Sequence, residues 1–248
     1  MNCDAMWPGG PVFIRDDSSF RPGTDAVLLA AFAAGGKSVG GKSAGGRAAS
    51  AMDLGSGTGV VAILLAWADA SLTVDGVEIQ PSWASLAREN VRLNGLEGRV
   101  SIMDGDLRRH REFLRAGAYD LVVSNPPYYA AGSGKSAPLL SRAQAREERE
   151  STLQDVVQAA RYLTRWGGRF ALVQKPERLS EVICALSQSG LEPKRLRFVQ
   201  NKASSAPSLV LLESRRGARP SLTVEPPLIL TDENGGESEE IKRIYHRE

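Results

Sequence analysis

"AMDLGSGTGVVAILLAWA", residues 51–68, decides how the rest of the chain is read. "AMDLG" has the character of a short buried strand, and "VVAILLAWA" that of an apolar helix. Between them Gly55, Gly57 and Gly59 punctuate "DLGSGTG", Asp53 to Gly59. Glycines permit a tight strand-to-helix turn and let a ligand come close to the backbone. A lone Gly-x-Gly-x-Gly also suits a purely structural turn. The dinucleotide fingerprint needs Gly-x-Gly-x-x-Gly, and Val60 follows Gly59, which argues against a dehydrogenase.

Outward from this stretch the alternation continues. "LTVDGVEI" reads as a strand, and "PSWASLARENVRLNG" as a helix with Pro81 in its first turn and Gly95 past its end. "RVSIMDGD" is a strand followed by a short helix through His110, and "YDLVVSN" is a further strand. "STLQDVVQAARYLTRWGG" predicts a helix, "RFALVQ" a strand, and "PERLSEVICALSQSG" a helix with Cys184 in the core. "KRLRFVQ" and "SLVLLES" predict a final antiparallel pair, and Thr24 is placed to cap a helix through "DAVLLAAFAA". Such alternation implies a mostly parallel sheet covered on both faces, with ligands beyond the carboxyl ends of the strands.

Composition narrows the class. A chain of 248 residues with 42% hydrophobic and 24% charged residues fits a globular α/β protein. Cys3 and Cys184 are far apart and the only histidines are His110 and His246, so neither a disulfide framework nor a metal site is expected. No apolar run reaches membrane-spanning length and the amino terminus does not resemble a signal peptide, so a cytoplasmic protein is expected. "GGKSVGGKSAGGRAAS", residues 35–50, reads as a flexible insert, although Lys37, Lys42 and Arg47 also suit a basic flap.

Two sets of polar residues fall at strand ends. Glu78 ends the second strand about twenty residues after the glycine turn, where an acid commonly holds ribose hydroxyls. Asp106, after the third strand, could accept from an adenine amino group. Asp53 beside the turn suits a cationic ligand better than a phosphate. Together these features fit an adenosyl ligand without pyrophosphate, and S-adenosylmethionine carries an ammonium and a sulfonium. The fourth strand then stops on Asn125-Pro126-Pro127-Tyr128, an extended and locally unpaired backbone with carbonyls free to accept.

The glycine turn and the Asn-Pro-Pro-Tyr stretch together resemble the amino-group methyltransferases. "FRPGTDAVLLAAFA", "EPKRLRFVQNKASSAPSLVLLES" and "LTVEPPLIL" extend the resemblance to the bacterial tRNA1(Val) (adenine-N6)-methyltransferase family over nearly the whole chain. The resemblance implies a single domain over 1–248 with a Rossmann-like class I methyltransferase fold. Its mostly parallel seven-stranded sheet would carry helices on both faces and a C-terminal antiparallel hairpin. Residues 1–24 would cover the cofactor and 220–248 form a C-terminal extension.

The resemblance further implies S-adenosyl-L-methionine as cofactor and tRNA as partner, with methylation of the adenine 3′ of a valine anticodon. Asn125 and Pro126 would supply the acceptors for the target amine, and Tyr128 would stack on the base. Arg21, Thr24, Asp53, Gly55, Ser56, Gly57, Gly59, Glu78, Ile79, Asp106 and Asn125 would hold the cofactor. Pro127, Tyr129, Lys194, Arg195, Arg197, Lys202, Arg215 and Arg216 would meet the RNA. From Lys194 to Arg219 there are seven basic residues and one acid, Glu213, a run that also fits a solvated surface. Glu147 stands where the family carries a histidine, which puts that position's role in doubt. A release-factor glutamine methyltransferase shares both motifs, but it usually has an N-terminal helical domain and about twenty residues precede Arg21 here. A DNA adenine methyltransferase would need a target-recognition domain, and a non-catalytic RNA-binding module would not need Asn125 and Tyr128.

Overall fold

The computed structural model describes residues 3–15, 23–35, 49–126 and 152–247. Cys3–Ala5 (β1) and Val12–Ile14 (β2) form a small antiparallel hairpin, followed by helix Thr24–Ala34 (α1). Ser50–Leu54 (β3), Val60–Ala68 (α2), Thr73–Glu78 (β4), Pro81–Leu93 (α3) and Val100–Asp104 (β5) then alternate. A short helical stretch, ending in His110–Phe113 (α4), leads to Tyr119–Ser124 (β6). The second half comprises Leu153–Leu163 (α5), Thr164–Gln174 (β7), Leu179–Ser189 (α6), Leu191–Gln200 (β8) and Pro207–Arg216 (β9). Thr223–Val224 (β10), Leu228–Ile229 (β11) and Glu239–Ile244 (α7) complete it.

The main sheet runs β5-β4-β3-β6-β7-β9-β8, the seven strands expected, with β9 antiparallel to both neighbours. Two short strands of the C-terminal extension, β10 and β11, add in parallel to β8 and bring the sheet to nine. The chain goes outward from β3 to β5 and then returns to the other side of β3 as β6. That reversal opens a crevice at the carboxyl ends of β3 and β6, where α/β sheets bind ligands. The ends are level, since Leu54 pairs with both Val77 and Ser124, and Glu78 with Asp104.

Alternation across the parallel strands fills both faces. Ala51, Val74, Leu121, Val123, Ala171 and Val173 pack beneath α1, α2 and α3. Met52, Leu54, Val122, Phe170 and Leu172 pack against α5 and α6 on the other side. α5 opens with a capping box in which Thr152 and Asp155 satisfy each other's backbone amides.

Three local expectations are corrected. The helix predicted over 151–168 ends at Leu163, because Thr164 pairs with Tyr119 and already starts β7, whose register shifts before Leu121 meets Arg169. Thr24 is the first residue of α1 rather than its cap, which is Gly23, and the Thr24 hydroxyl bonds the phenol of Tyr245. Cys184 is exposed, because the inward face of α6 is set by Val182, Ala185 and Leu186 and the helical turn carries residue 184 away from it.

Candidate active site

The glycine turn leaves β3 at the crevice with Gly55, Gly57 and Gly59 at φ of 71°, 53° and 83°, conformations that glycine adopts without strain. It is held by β4. The Gly55 and Ser56 amides donate to the Val77 carbonyl at 2.9 and 3.0 Å, and the Ser56 hydroxyl donates to the Asp53 carbonyl at 3.0 Å. Glu78, 5% exposed, accepts from the Gly57 amide at 2.8 Å and from the Gln80 amide at 2.9 Å. Burial pushes the Glu78 carboxyl above its ordinary range, against the pull of those amides. The sequence thus brings an acid onto the turn before any ligand is considered.

Asp53 lies beneath the turn, 1% exposed. Burial raises its pKa to about 7; the Ala62 amide opposes the rise and the Glu78 carboxylate adds to it. Its Oδ2 is buried without a hydrogen-bond partner. An orphaned carboxylate oxygen next to an open glycine backbone fits a ligand that carries positive charge. The donor set therefore suits the ammonium and sulfonium of S-adenosylmethionine, and does not suit a pyrophosphate.

Across the crevice, Ser124 ends β6, and its hydroxyl donates to the Leu54 carbonyl at 2.9 Å. This bond ties the last residue before the glycine turn to the residue before Asn125, so the two motifs are stitched together. Asn125 is half-buried and Pro126 buried at that strand end. Ile79 is half-buried after Glu78. Asp106, after β5, uses its carboxylate to cap the following turn and to bind the Arg108 guanidinium at 2.7–3.0 Å. Arg108 holds that carboxyl below its usual range. The acceptor expected to read adenine is already shared with an arginine.

Arg21, Pro127, Tyr128, Tyr129 and Glu147 lie outside the described residues, as do Lys37, Lys42 and Arg47.

Most cations of the basic run have partners within the fold. Arg195 bonds Glu213 at 3.2 Å and Glu225 at 2.8 Å and lies over the Phe32 ring, while Arg197 grips both oxygens of Glu240 at 2.6 and 2.7 Å. Arg215 donates to the Gly167 carbonyl at 2.8 Å and Arg216 to that of Thr164 at 2.6 Å. Lys194 bonds the Arg219 carbonyl and the Ser221 hydroxyl. Since Arg215 pairs with Arg169, which pairs with Leu121, Arg215 and Arg216 sit toward the amino ends of the parallel strands, away from Asn125. Lys202, exposed in the turn between β8 and β9, is on the crevice's side and pairs with no carboxylate among the described residues.

Sequence reasoning missed Ser124, Trp83 and Asn90. A Cβ on Gly57 would lie 3.8 Å from the half-buried Trp83 ring, so α3 lines the turn. Trp83, Ala87 and Asn90 recur at helical spacing on α3, a signal that could have placed one face of that helix on the turn.

Comparison with known proteins gives the following. Residues 42–188 match the family model of the methyltransferase small domain. The chain is 32% identical to the tRNA1(Val) (adenine(37)-N6)-methyltransferase of Aeromonas salmonicida, over 82% of this chain and 80% of that protein. It is 32% identical to the enzyme of the same name from Porphyromonas gingivalis strain ATCC 33277, over 79% of this chain and 75% of that one. Among solved structures, a predicted O-methyltransferase from Agrobacterium tumefaciens superposes with a TM-score of 0.71 at 20% identity, covering 90% of this chain and 96% of that one. That likeness establishes the fold.

Proposed function

Since the chain belongs to the tRNA1(Val) (adenine(37)-N6)-methyltransferase family, we propose that it methylates N6 of the adenine just 3′ of the anticodon in a valine tRNA. Like its family, it is a methyltransferase that uses S-adenosyl-L-methionine. The observation that carries the reading is the Ser124–Leu54 bond, which sets Asn125 and Pro126 beside the glycine turn. When bound, the cofactor supplies a methyl group on a sulfonium. Asp53 holds the cationic end, Gly55 to Gly59 line the approach, and Glu78 takes the ribose. Ile79 flanks the adenosyl group, and Asp106, braced by Arg108, stands at its adenine end. Thr24 and Arg21, in the segment 1–24, are assigned to the methionine end.

An exocyclic amine is a poor nucleophile because its lone pair is spread into the ring. The Asn125 side-chain carbonyl and the Pro126 backbone carbonyl accept its two hydrogens and aim the lone pair at the methyl group. The chain therefore works by positioning and electrostatics. Tyr128 stacks on the base, with Pro127 and Tyr129 bordering it. A loop adenine leaves its stack at lower cost than a paired one. Lys202 is the cation best placed to hold RNA near the crevice, while Lys194, Arg195, Arg197, Arg215 and Arg216 serve the fold first and meet RNA only through what their pairings leave free. We place the protein in the cytoplasm with its tRNA; among the described residues no helix is long and apolar enough to cross a membrane.

The test is incubation with labelled S-adenosylmethionine and either valine tRNA transcript or release factor, followed by mass spectrometry of the nucleosides. N6-methyladenosine should form, and vanish when the target adenine is replaced by guanine. Label on the release factor alone would favour glutamine methylation instead.

A further inference from the structure

Asn90 is 1% exposed, and both ends of its carboxamide are engaged. Its Nδ2 donates to the Thr58 carbonyl at 2.9 Å, inside the glycine turn, and its Oδ1 accepts from the Ile14 amide at 2.9 Å, in the N-terminal hairpin. One helical turn later Asn94 accepts from the Val12 amide at 2.8 Å and donates to the Val12 carbonyl at 2.7 Å. Residues i and i+4 share a helix face, and i and i+2 share a strand edge. The two asparagines of α3 therefore stand in for a neighbouring strand along the edge of β2 that β1 leaves open.

Only Asn90 reaches the turn as well. Thr58 lies between Gly57 and Gly59, both left-handed, so little in its own backbone fixes where its carbonyl points. α3 presses on the same place, since a Cβ on Gly59 would sit 3.2 Å from the Ala87 Cβ. A buried carboxamide satisfied at both ends by different elements links their positions, because losing either partner leaves a polar atom unpaired.

We propose that Asn90 is a positioning residue for the cofactor, fixing the glycine turn in its binding conformation through the Thr58 carbonyl while the Ile14 amide holds the other end of its carboxamide. Asn94 holds the hairpin without touching the turn, so the pair separates docking from positioning. This rests on the glycine turn being the S-adenosylmethionine site.

Titration calorimetry of S-adenosylhomocysteine into the full-length wild type gives the reference. No binding there would remove the premise, and the proposal with it. Asn90→Ala should lower the affinity about tenfold and raise KM for the cofactor in step, with kcat at saturating cofactor little changed. Asn94→Ala should lower the melting temperature comparably while keeping wild-type affinity. Normal wild-type binding with unchanged affinity in Asn90→Ala overturns the proposal alone. So does an Asn94→Ala loss as large as that of Asn90→Ala, since detaching the hairpin would then explain both. A measurement on the wild type guards against a variant that does not fold: hydrogen exchange at the Ile14 amide should slow when S-adenosylhomocysteine binds. Equal exchange with and without ligand overturns the proposal.

Discussion

Replacing Asp53 by asparagine should stabilise the ligand-free protein at mildly alkaline pH while weakening its cofactor site. Burial lifts the Asp53 pKa from an ordinary 3.8 to about 7. Between about pH 4 and pH 7 the folded chain therefore keeps a proton that the unfolded chain has lost, and stability falls as pH rises through that window. Above about pH 7 the cost is complete and the profile levels off. A rise of roughly three pKa units corresponds to about 4 kcal/mol. Asparagine has nearly the same shape and does not titrate. Its amide nitrogen, placed where Oδ2 now lacks a partner, costs about 1–3 kcal/mol at every pH. The variant should then be less stable than wild type near pH 4 and more stable by about 1–3 kcal/mol at pH 8, a swing of about 4 kcal/mol. Urea unfolding without cofactor at both pH values measures it. Parallel profiles for the two proteins would refute the reasoning, since the pH dependence would then belong to other groups. With cofactor the order reverses: a bound cation favours ionised Asp53, so wild-type affinity for S-adenosylhomocysteine should tighten as pH rises through about 7, and the asparagine variant should bind weakly throughout.

Glu78→Gln keeps the size of the side chain but leaves one of the Gly57 and Gln80 amides facing an NH2 group, so S-adenosylhomocysteine affinity should drop about tenfold; unchanged calorimetry would take Glu78 out of the site. Asn125→Ala should bind cofactor normally yet lose about 10²–10³ in turnover, and near wild-type single-turnover rates would sink its role as acceptor. Lys202→Glu should weaken tRNA binding and flatten its salt dependence without a change in melting temperature, as read by filter binding over a salt series. Arg197→Glu should instead lower the melting temperature, because it sets a carboxylate against Glu240; a variant that melts like wild type would restore Arg197 to the candidate RNA contacts.

Much of the fold was legible because its signals are local. Glycines after Leu54, Pro81 at the start of α3 and Gly190 after α6 mark turns and caps through backbone preference alone. The N-terminal hairpin was not legible, because its strands are three residues long and one edge is completed by the side chains of Asn90 and Asn94. The boundary at Leu163 was missed for a related reason. "YLTRWGG" continues the helical pattern, and Thr164 turns to strand only because Tyr119 is there to pair with it.

The two functional signals differ in the same way. Asp53, Glu78, Asp106 and Asn125 each stand at or just beyond the end of a parallel strand, and every such end lies on one edge of the sheet. Parallel topology thus gathers residues that are distant in sequence, and spacing along the chain is enough to find them. The basic run from Lys194 to Arg219 crosses an antiparallel pair, climbing β8 to Gln200 and returning along β9 to Arg216. The Arg216 end of the run therefore lies at the amino edge, where Gly217 donates to the Gly190 carbonyl, and the turn holding Lys202 lies on the opposite, carboxyl edge, with β7 between β9 and β6. Alternation along each strand divides the remaining cations between faces, and acids from elsewhere in the chain, Glu225 and Glu240, claim those that point inward. Charge that is contiguous in sequence becomes a surface only when the topology keeps it on one edge, and here it keeps the carboxylates together and disperses the cations.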